Sequence, residues 1–445
     1  MKSAIGKIRD IWNATDIRNK ILFTLFILLI YQVGSAIPVP YVKSEIATWF
    51  QQTYGNTIFA YLSQLSGGSL EQANLFALSI NPYITASIVI QLLTVAIPRW
   101  QEWSKEEDGQ KKLTQITRVT TVVLALITAW AYYNILSNAT TSSGSSLLYS
   151  DGVFEAFVII ACFCGGAAIV MWLGEKINEK GIGNGISMIL FANILAGFPR
   201  RLPYIWDLFT QWGWGTAIAV VGVIGILAII VFIIFITNSE RRIPVQYSKR
   251  VVGRKMYGGQ NTNLPLKLNM NGVMPVIFAS SIVSLPATIG TLLGHTTSDS
   301  GFWGTFLKIF EATSPLYIVL YLVLIIAFGY FYTLISFDPV EVSNNLKRNG
   351  GTILGIRPGA PTAEYIKKIL NRITLIGSLF LIVVAGLPLI INAVATVLPS
   401  SWNLSSVSGL AFSGNSLLIV IGVALETYRD IEAQMSMRHY KGFLQ

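Results

Sequence analysis

The chain predicts an all-α polytopic membrane protein with ten transmembrane helices in two inverted five-helix halves. Three observations lead there. Hydrophobic residues make up 53% of the 445 positions and charged residues only 12%, where a soluble domain carries about 25% charged residues. Ten stretches are long enough to cross a bilayer, and none contains Lys, Arg, Asp or Glu. A six-residue pattern recurs in the second span of each half.

The spans fall at about 21–38, 73–97, 119–137, 156–173, 183–198, 214–237, 271–293, 315–336, 373–395 and 406–425, the fifth being the shortest. The first follows Lys2, Lys7, Arg9, Arg18 and Lys20, and no small-residue cleavage site follows a short apolar core, so it reads as a retained span. With the N-terminus cytoplasmic, 28 of the 32 Lys and Arg residues fall on the cytoplasmic side, leaving only Lys43, Arg200, Arg201 and Lys308 outside. That asymmetry places both termini inside. The net charge of +10 then lies on the cytoplasmic face, where it favours anionic lipid head groups and anionic partners.

An odd number of spans per half forces the halves, 1–205 and 206–445, into opposite orientations. Span two contains Pro82-Tyr83-Ile84-Thr85-Ala86-Ser87 and span seven contains Pro275-Val276-Ile277-Phe278-Ala279-Ser280, both Pro-x-Ile-x-Ala-Ser. Proline frees a carbonyl and bends a helix. The pair is expected to interrupt its two spans, marking a central site between the repeats.

Charge-free spans argue against an ion-coupled solute transporter, which normally carries ionisable residues at mid-membrane despite a cost of about 2.5–3.5 kcal/mol each. A membrane-embedded enzyme lacks its polar constellation: His295 and His439 are expected on opposite sides of the membrane. Cys162 and Cys164 point about 200° apart on one helix, as small hydrophobes and not a shared metal site. No G-x-x-x-x-G-K-[ST] loop is present, and Gly181-Ile182-Gly183-Asn184-Gly185 reads as a tight turn. No cofactor or metal is expected.

Ile80 and Ile84, four apart, share one face of span two, and Ile186 and Leu190 do the same in span five. A constriction of such residues excludes ions by dewetting yet yields to a bulkier chain. Residues 54–70 form a short segment with Ile58, Leu62 and Leu65 at helical spacing, ended by Gly67 and Gly68; it is either interfacial or re-entrant from the outer side. Gln91, Thr117 and Asn269 lie near the cytoplasmic ends of spans two, three and seven. Such side chains join helices weakly, by about 0.6 kcal/mol each, as an opening seam requires.

Of the cytoplasmic loops, 238–270 carries β-branched runs, Gly258-Gly259 and clustered cations, the pattern of a projecting hairpin. Loop 337–372 contains Gly350-Gly351, which can end a short helix, and Gly355-Ile356-Arg357-Pro358-Gly359, a turn that would hold Arg357 outward. Arginine so presented suits bidentate contact with phosphate or carboxylate.

At these runs the chain resembles the SecY family, the channel subunits of bacterial protein translocases. The resemblance covers nearly the whole sequence and rests on the runs Phe76–Thr94, Met171–Ser187, Leu264–Asn269 and Gly355–Gly359. It implies an hourglass channel whose waist is an aliphatic pore ring of Ile80, Ile84, Ile186, Leu190, Ile277 and Ile419. It also implies a plug at about 54–70 (Ile58, Leu62, Leu65, Gly67, Gly68) and a lateral gate with Gln91, Thr117 and Asn269 in its polar cluster. A docking surface for the ribosome or the SecA motor ATPase would include Arg250, Arg254, Lys255 and Arg357. Small SecE-like and SecG-like membrane subunits, ribosomal RNA phosphates and unfolded or nascent polypeptides are the partners implied. The activity implied is passage of unfolded secretory chains across the plasma membrane and sideways release of apolar segments, with energy from partners. An accessory paralogue serving few substrates is the nearest alternative. Leu190 stands where the family commonly has Ile, and Asn81 where it often has an apolar residue.

Overall fold

The computed structural model describes residues 9, 11–54, 63, 66–139, 146–150, 152–199, 214–247, 250–252, 255–257, 261–270, 272–292, 301–310, 314–397 and 414–441. Ile58, Leu62, Leu65 and Arg254 lie outside the described residues.

The N-terminal part comprises α1 (Thr15–Ser35), α2 (Ile46–Tyr54), α3 (Asn81–Ala96), α4 (Pro98–Lys105), α5 (Glu107–Ser137), α6 (Val153–Lys180) and α7 (Gly185–Gly197). After α8 (Trp214–Asn238) come strands β1 (Glu240–Tyr247), β2 (Arg250–Val252), β3 (Lys255–Tyr257) and β4 (Asn261–Lys267). Then follow α9 (Met274–Leu292), α10 (Phe302–Ile309), α11 (Pro315–Ser336), α12 (Pro339–Arg348), β5 (Gly351–Ile353), α13 (Ala360–Val397) and α14 (Gly414–Lys441).

Each of the ten expected spans overlaps a helix. Among the described residues, five helices are individually long and apolar enough to cross a membrane, and α3 with α4 makes a sixth if that bent pair is one span. Large apolar side chains sit on their outer faces: Leu25, Phe26, Leu29 and Val33 on α1, Leu126 and Trp130 on α5, Val319 and Val323 on α11 are all exposed. In a bilayer these faces meet lipid, and the backbone polar groups are satisfied within each helix.

Two expectations about span two need correction. Its helix begins at Asn81 and not near 73, because residues 66–80 run as turns with Ala73 and Ser79 at φ of 47° and 51°. Pro82 therefore opens α3 and does not interrupt it, and Pro275 is likewise the second residue of α9. The first helical turn has no use for an N–H, so proline fits there without strain. The proline inside α9 is Pro286. At the other end of α3, Ile97 is extended (φ −105°, ψ 112°), as the residue before Pro98 must be, and α4 leaves at 107° to α3. Span three is also longer than expected: Thr117 lies inside α5, not before it. Helix α7 has 13 residues, about 20 Å at 1.5 Å per residue, well short of a ~30 Å hydrocarbon layer.

Glycine permits two close backbone crossings. A Cβ on Gly166 of α6 would lie 2.0 Å from the Leu75 carbonyl oxygen, and one on Gly185 would lie 2.0 Å from that of Gly174. Gly166→Ala is a test of the first. In an open helix interior alanine is favoured over glycine by about 1 kcal/mol, but here overpacking against main chain is expected to destabilise by about 1–3 kcal/mol. Thermal unfolding of the purified protein checks the sign.

The strands between α8 and α9 and after α12 form a feature with no counterpart in the expected helix layout. β1 pairs antiparallel with β4 (Glu240↔Lys267 through Gln246↔Asn261) and, along its other edge, with β5 (Val245↔Ile353). β2 and β3 form a hairpin, with Val252 opposite Lys255, while Gly258 and Gly259, on which the expected hairpin also rested, lie outside the described residues. Ile243, Val245, Leu266 and Ile353 bury against Ile366, Leu370 and Ile373 of α13. The two loops are thus one small domain seated on the start of α13.

Candidate functional site

The turn that launches α7 is built from Gly181–Gly185. Gly183 takes φ +76°, Asn184 caps the helix by accepting from the Ile186 and Ser187 amides (3.0 and 3.4 Å), and the Gly185 amide donates to Asn178 Oδ1 at 2.7 Å. Ile186 and Leu190 follow one turn apart. Ile84 is one turn from Ile80 on α3, its amide bonded to the Ile80 carbonyl at 3.0 Å, although Ile80 is the residue before the helix. Ile277 lies in the first turn of α9 and Ile419 in α14. Ile80, Ile84, Leu190, Ile277 and Ile419 are buried members of the main hydrophobic core cluster, which also takes in Tyr31, Phe76, Phe163 and many other residues, and half-buried Ile186 packs against that core. The cluster draws these residues from four helices. Ile80 also faces α6, its Cδ1 3.6 Å from where a Cβ on Gly174 would stand.

Of the expected plug residues, Gly67 and Gly68 are described, both left-handed (φ +68° and +84°). The Gly68 amide reaches back to the Ser63 carbonyl at 2.8 Å, across the left-handed Gly67. The chain beyond is fastened firmly. Tyr132 of α5 donates to the Leu70 carbonyl, and Asn74 Nδ2 donates to the Ser35 carbonyl at the end of α1 (2.7 Å).

The three expected gate residues occupy different surroundings. Gln91 on α3 accepts a 2.5 Å hydrogen bond from the Tyr332 hydroxyl on α11 and donates to Ser87 Oγ at 3.2 Å. Thr117 is buried and bonds back to the Leu113 carbonyl (2.9 Å). Asn269, between β4 and α9, lines a small cavity with Thr333, Thr374, Gly377 and Ser378 of α11 and α13. Among the described residues no hydrogen bond joins the three. Sequence reasoning missed Tyr332, whose ring packs on Phe278 of α9 at 5.0 Å. Its signal was the aromatic-rich run Phe328–Tyr332 near the end of the span. Between α5 and α6, Arg118 pairs with Glu175 at 2.8 Å. Nearby, Lys176 holds the exposed Glu179 carboxyl below the usual carboxylate range by hydrogen bonding to it.

On the loop between α11 and α13, Arg357 is exposed on the turn between β5 and α13. Gly355 and Gly359 take φ of +78° and +102°. Thr362 Oγ1 donates to the Arg357 carbonyl at 2.9 Å, and Ser343 of α12 donates to that of Gly359 at 2.7 Å. The backbone under the guanidinium is therefore tied from both sides. Arg250 and Lys255 start β2 and β3. Among the described residues no group of three His, Cys, Asp or Glu side chains could hold a metal ion.

Apolar helices long enough to cross a membrane, a buried core shared between them and a small loop domain of strands fit a membrane channel. Comparison with known proteins makes it a protein-conducting one. A solved structure of a protein-conducting channel superposes with a TM-score of 0.62 at 16% identity, covering 94% of this chain and 92% of the other. The canine Sec61 channel from an endoplasmic-reticulum ribosome–channel complex gives 0.59 at 15% identity, with the same coverage. In sequence, the protein translocase subunit SecY of Streptomyces galbus is 42% identical over 96% of this chain and 97% of its own length. That of Halalkalibacterium halodurans is 42% identical over 98% and 99%. The SecY family model matches residues 74–428. The chain belongs to the SecY family.

Proposed function

We propose that this chain is the channel subunit through which unfolded secretory polypeptides cross a bacterial plasma membrane, and from which apolar segments leave sideways into lipid. One observation carries the reading: Ile80, Ile84, Leu190, Ile277 and Ile419, contributed by four separate helices, are buried in the same hydrophobic core, with half-buried Ile186 packed against that core. We assign these six as the waist. Such a waist accepts any side chain weakly and stays dry when idle. Residues 1–205 and 206–445 act as the two halves, both termini face the cytoplasm, and the plug segment rests on the outer side of the waist. Between the halves, α3 and α9 face each other as the seam that opens. An apolar segment of about 20 residues gains roughly 0.3–0.6 kcal/mol per Leu or Ile on leaving through it.

Energy comes from outside the chain. The exposed Arg357 turn and the loop cations Arg250, Arg254 and Lys255 are the docking face for a motor ATPase of the SecA kind or for ribosomal RNA phosphates. Small SecE-like and SecG-like subunits complete the complex, and anionic lipids gather at the basic face. A secretory chain stalled in transit should crosslink to photoreactive residues placed at positions 80, 84 and 277. Crosslinking confined to lipid-facing positions such as Val319 and Val323 would refute the waist.

A further inference from the structure

Asn193 sits in the third turn of α7, in the run Ile189-Leu190-Phe191-Ala192-Asn193-Ile194, and only 1% of it is exposed. An amide so deep among aliphatic residues persists only where hydrogen bonds compensate its lost hydration. Its Nδ2 donates to Ser79 Oγ at 3.2 Å, and the Tyr31 hydroxyl of α1 lies 3.4 Å from the same oxygen. Ser79 and Tyr31 are also buried, and Tyr31 stacks on Phe76 at 5.4 Å. On the other side, the Asn193 carbonyl and Oδ1 come within 3.2 and 3.5 Å of the place a Cβ on Gly67 would take. Gly67 has φ +68°, so its lack of a side chain serves both the turn and the approach.

The position of this group matters more than its bonds alone. Asn193 follows Leu190 by three residues, Ser79 immediately precedes Ile80, and Gly67 lies in the segment assigned above as the plug. We propose that Asn193, with Ser79 and Tyr31, is a polar clamp that holds the Gly67 turn of the plug segment against the waist of the resting channel. The clamp rests on the plug-and-waist reading above and adds to it a coupling. When a polypeptide widens the waist, α7 draws away from the Ser79–Ile80 corner, the Asn193–Ser79 bond breaks and the surface against Gly67 is lost. Entry and plug release then become one event. Asn193 acts here as a positioning residue, touching the plug and not the substrate.

The test uses the assembled channel complex in planar bilayers, with four forms: wild type, Asn193→Leu, a deletion of residues 55–65, and the two combined. Tyr31→Phe is a fifth and milder variant, in case leucine at 193 impairs folding. Loss of one such bond should raise the resting conductance about fivefold in Asn193→Leu, with a smaller rise in Tyr31→Phe. Amide exchange of the 66–75 peptide should quicken by a similar factor. In the plug-deleted channel, Asn193→Leu should add nothing, whereas a general weakening of the fold would add to the leak. The clamp is overturned if the deletion leaks while Asn193→Leu and Tyr31→Phe keep wild-type conductance and exchange. A deletion that stays tight overturns the plug reading itself, and the clamp with it.

Discussion

Ile277→Gly should make the resting channel leak ions. Its side chain is 7% exposed and lies in the first turn of α9, within the cluster that also holds Ile84 and Leu190. An ion entering this region must shed water with no polar group to replace it, so the barrier depends on how tightly the aliphatic walls close. Removing one wall should lower that barrier by about 1.4 kcal/mol or more, which corresponds to roughly tenfold in conductance. Ile84→Gly is expected to act similarly. Glycine also weakens a helix by about 1 kcal/mol, so a control is needed in the same element. Val283→Gly supplies it: Val283 is buried in α9 two turns away and is not a waist residue. If Val283→Gly and Ile277→Gly leak equally, the seal is a general property of packing and the six-residue waist is wrong.

What the sequence disclosed follows from the range of the forces involved. Membrane insertion acts residue by residue, so every charge-free run overlaps a helix, although among the described residues only five helices, or six with the bent pair, are long and apolar enough to cross on their own. That signal failed at residues 73–80. These are as apolar as a helix, yet the turn geometry at Ala73 and Ser79 depends on anchors far away in sequence, including Ser35 and Asn193. The prolines were misread for a related reason, since Pro82 has the same composition signal whether it opens a helix or breaks one. The Arg357 turn was legible because glycine and proline dictate local backbone directly. β5 was not: three residues, Gly-Thr-Ile, become a strand only because β1 offers an edge more than a hundred positions earlier. The bond between Tyr332 and Gln91 was equally invisible, being a choice of partner across 241 positions.

Arg357→Glu should impair motor-driven or ribosome-coupled export while leaving a folded, inserted protein. The side chain is exposed, and among the described residues no ion pair holds it, so its replacement removes no internal contact. The turn survives because its anchors are backbone carbonyls and the Thr362 and Ser343 hydroxyls, none of which involves the guanidinium. What changes is the charge presented to an anionic partner. A charge-assisted hydrogen bond is worth about 1.5–3 kcal/mol, so loss alone should weaken docking by roughly ten- to a hundredfold, and reversal should add repulsion. Arg357→Ala should fall between wild type and Arg357→Glu. Arg357→Lys should recover only part, since an ammonium cannot form the paired contact of a planar fork. Binding of purified motor and of ribosomes to the reconstituted complex, measured at several salt concentrations, separates these cases. A surface role predicts that the difference between the wild type and Arg357→Ala shrinks as salt rises. Export and binding at wild-type levels in Arg357→Glu would move the docking face away from this turn, and leave the strand cations as its remaining candidates.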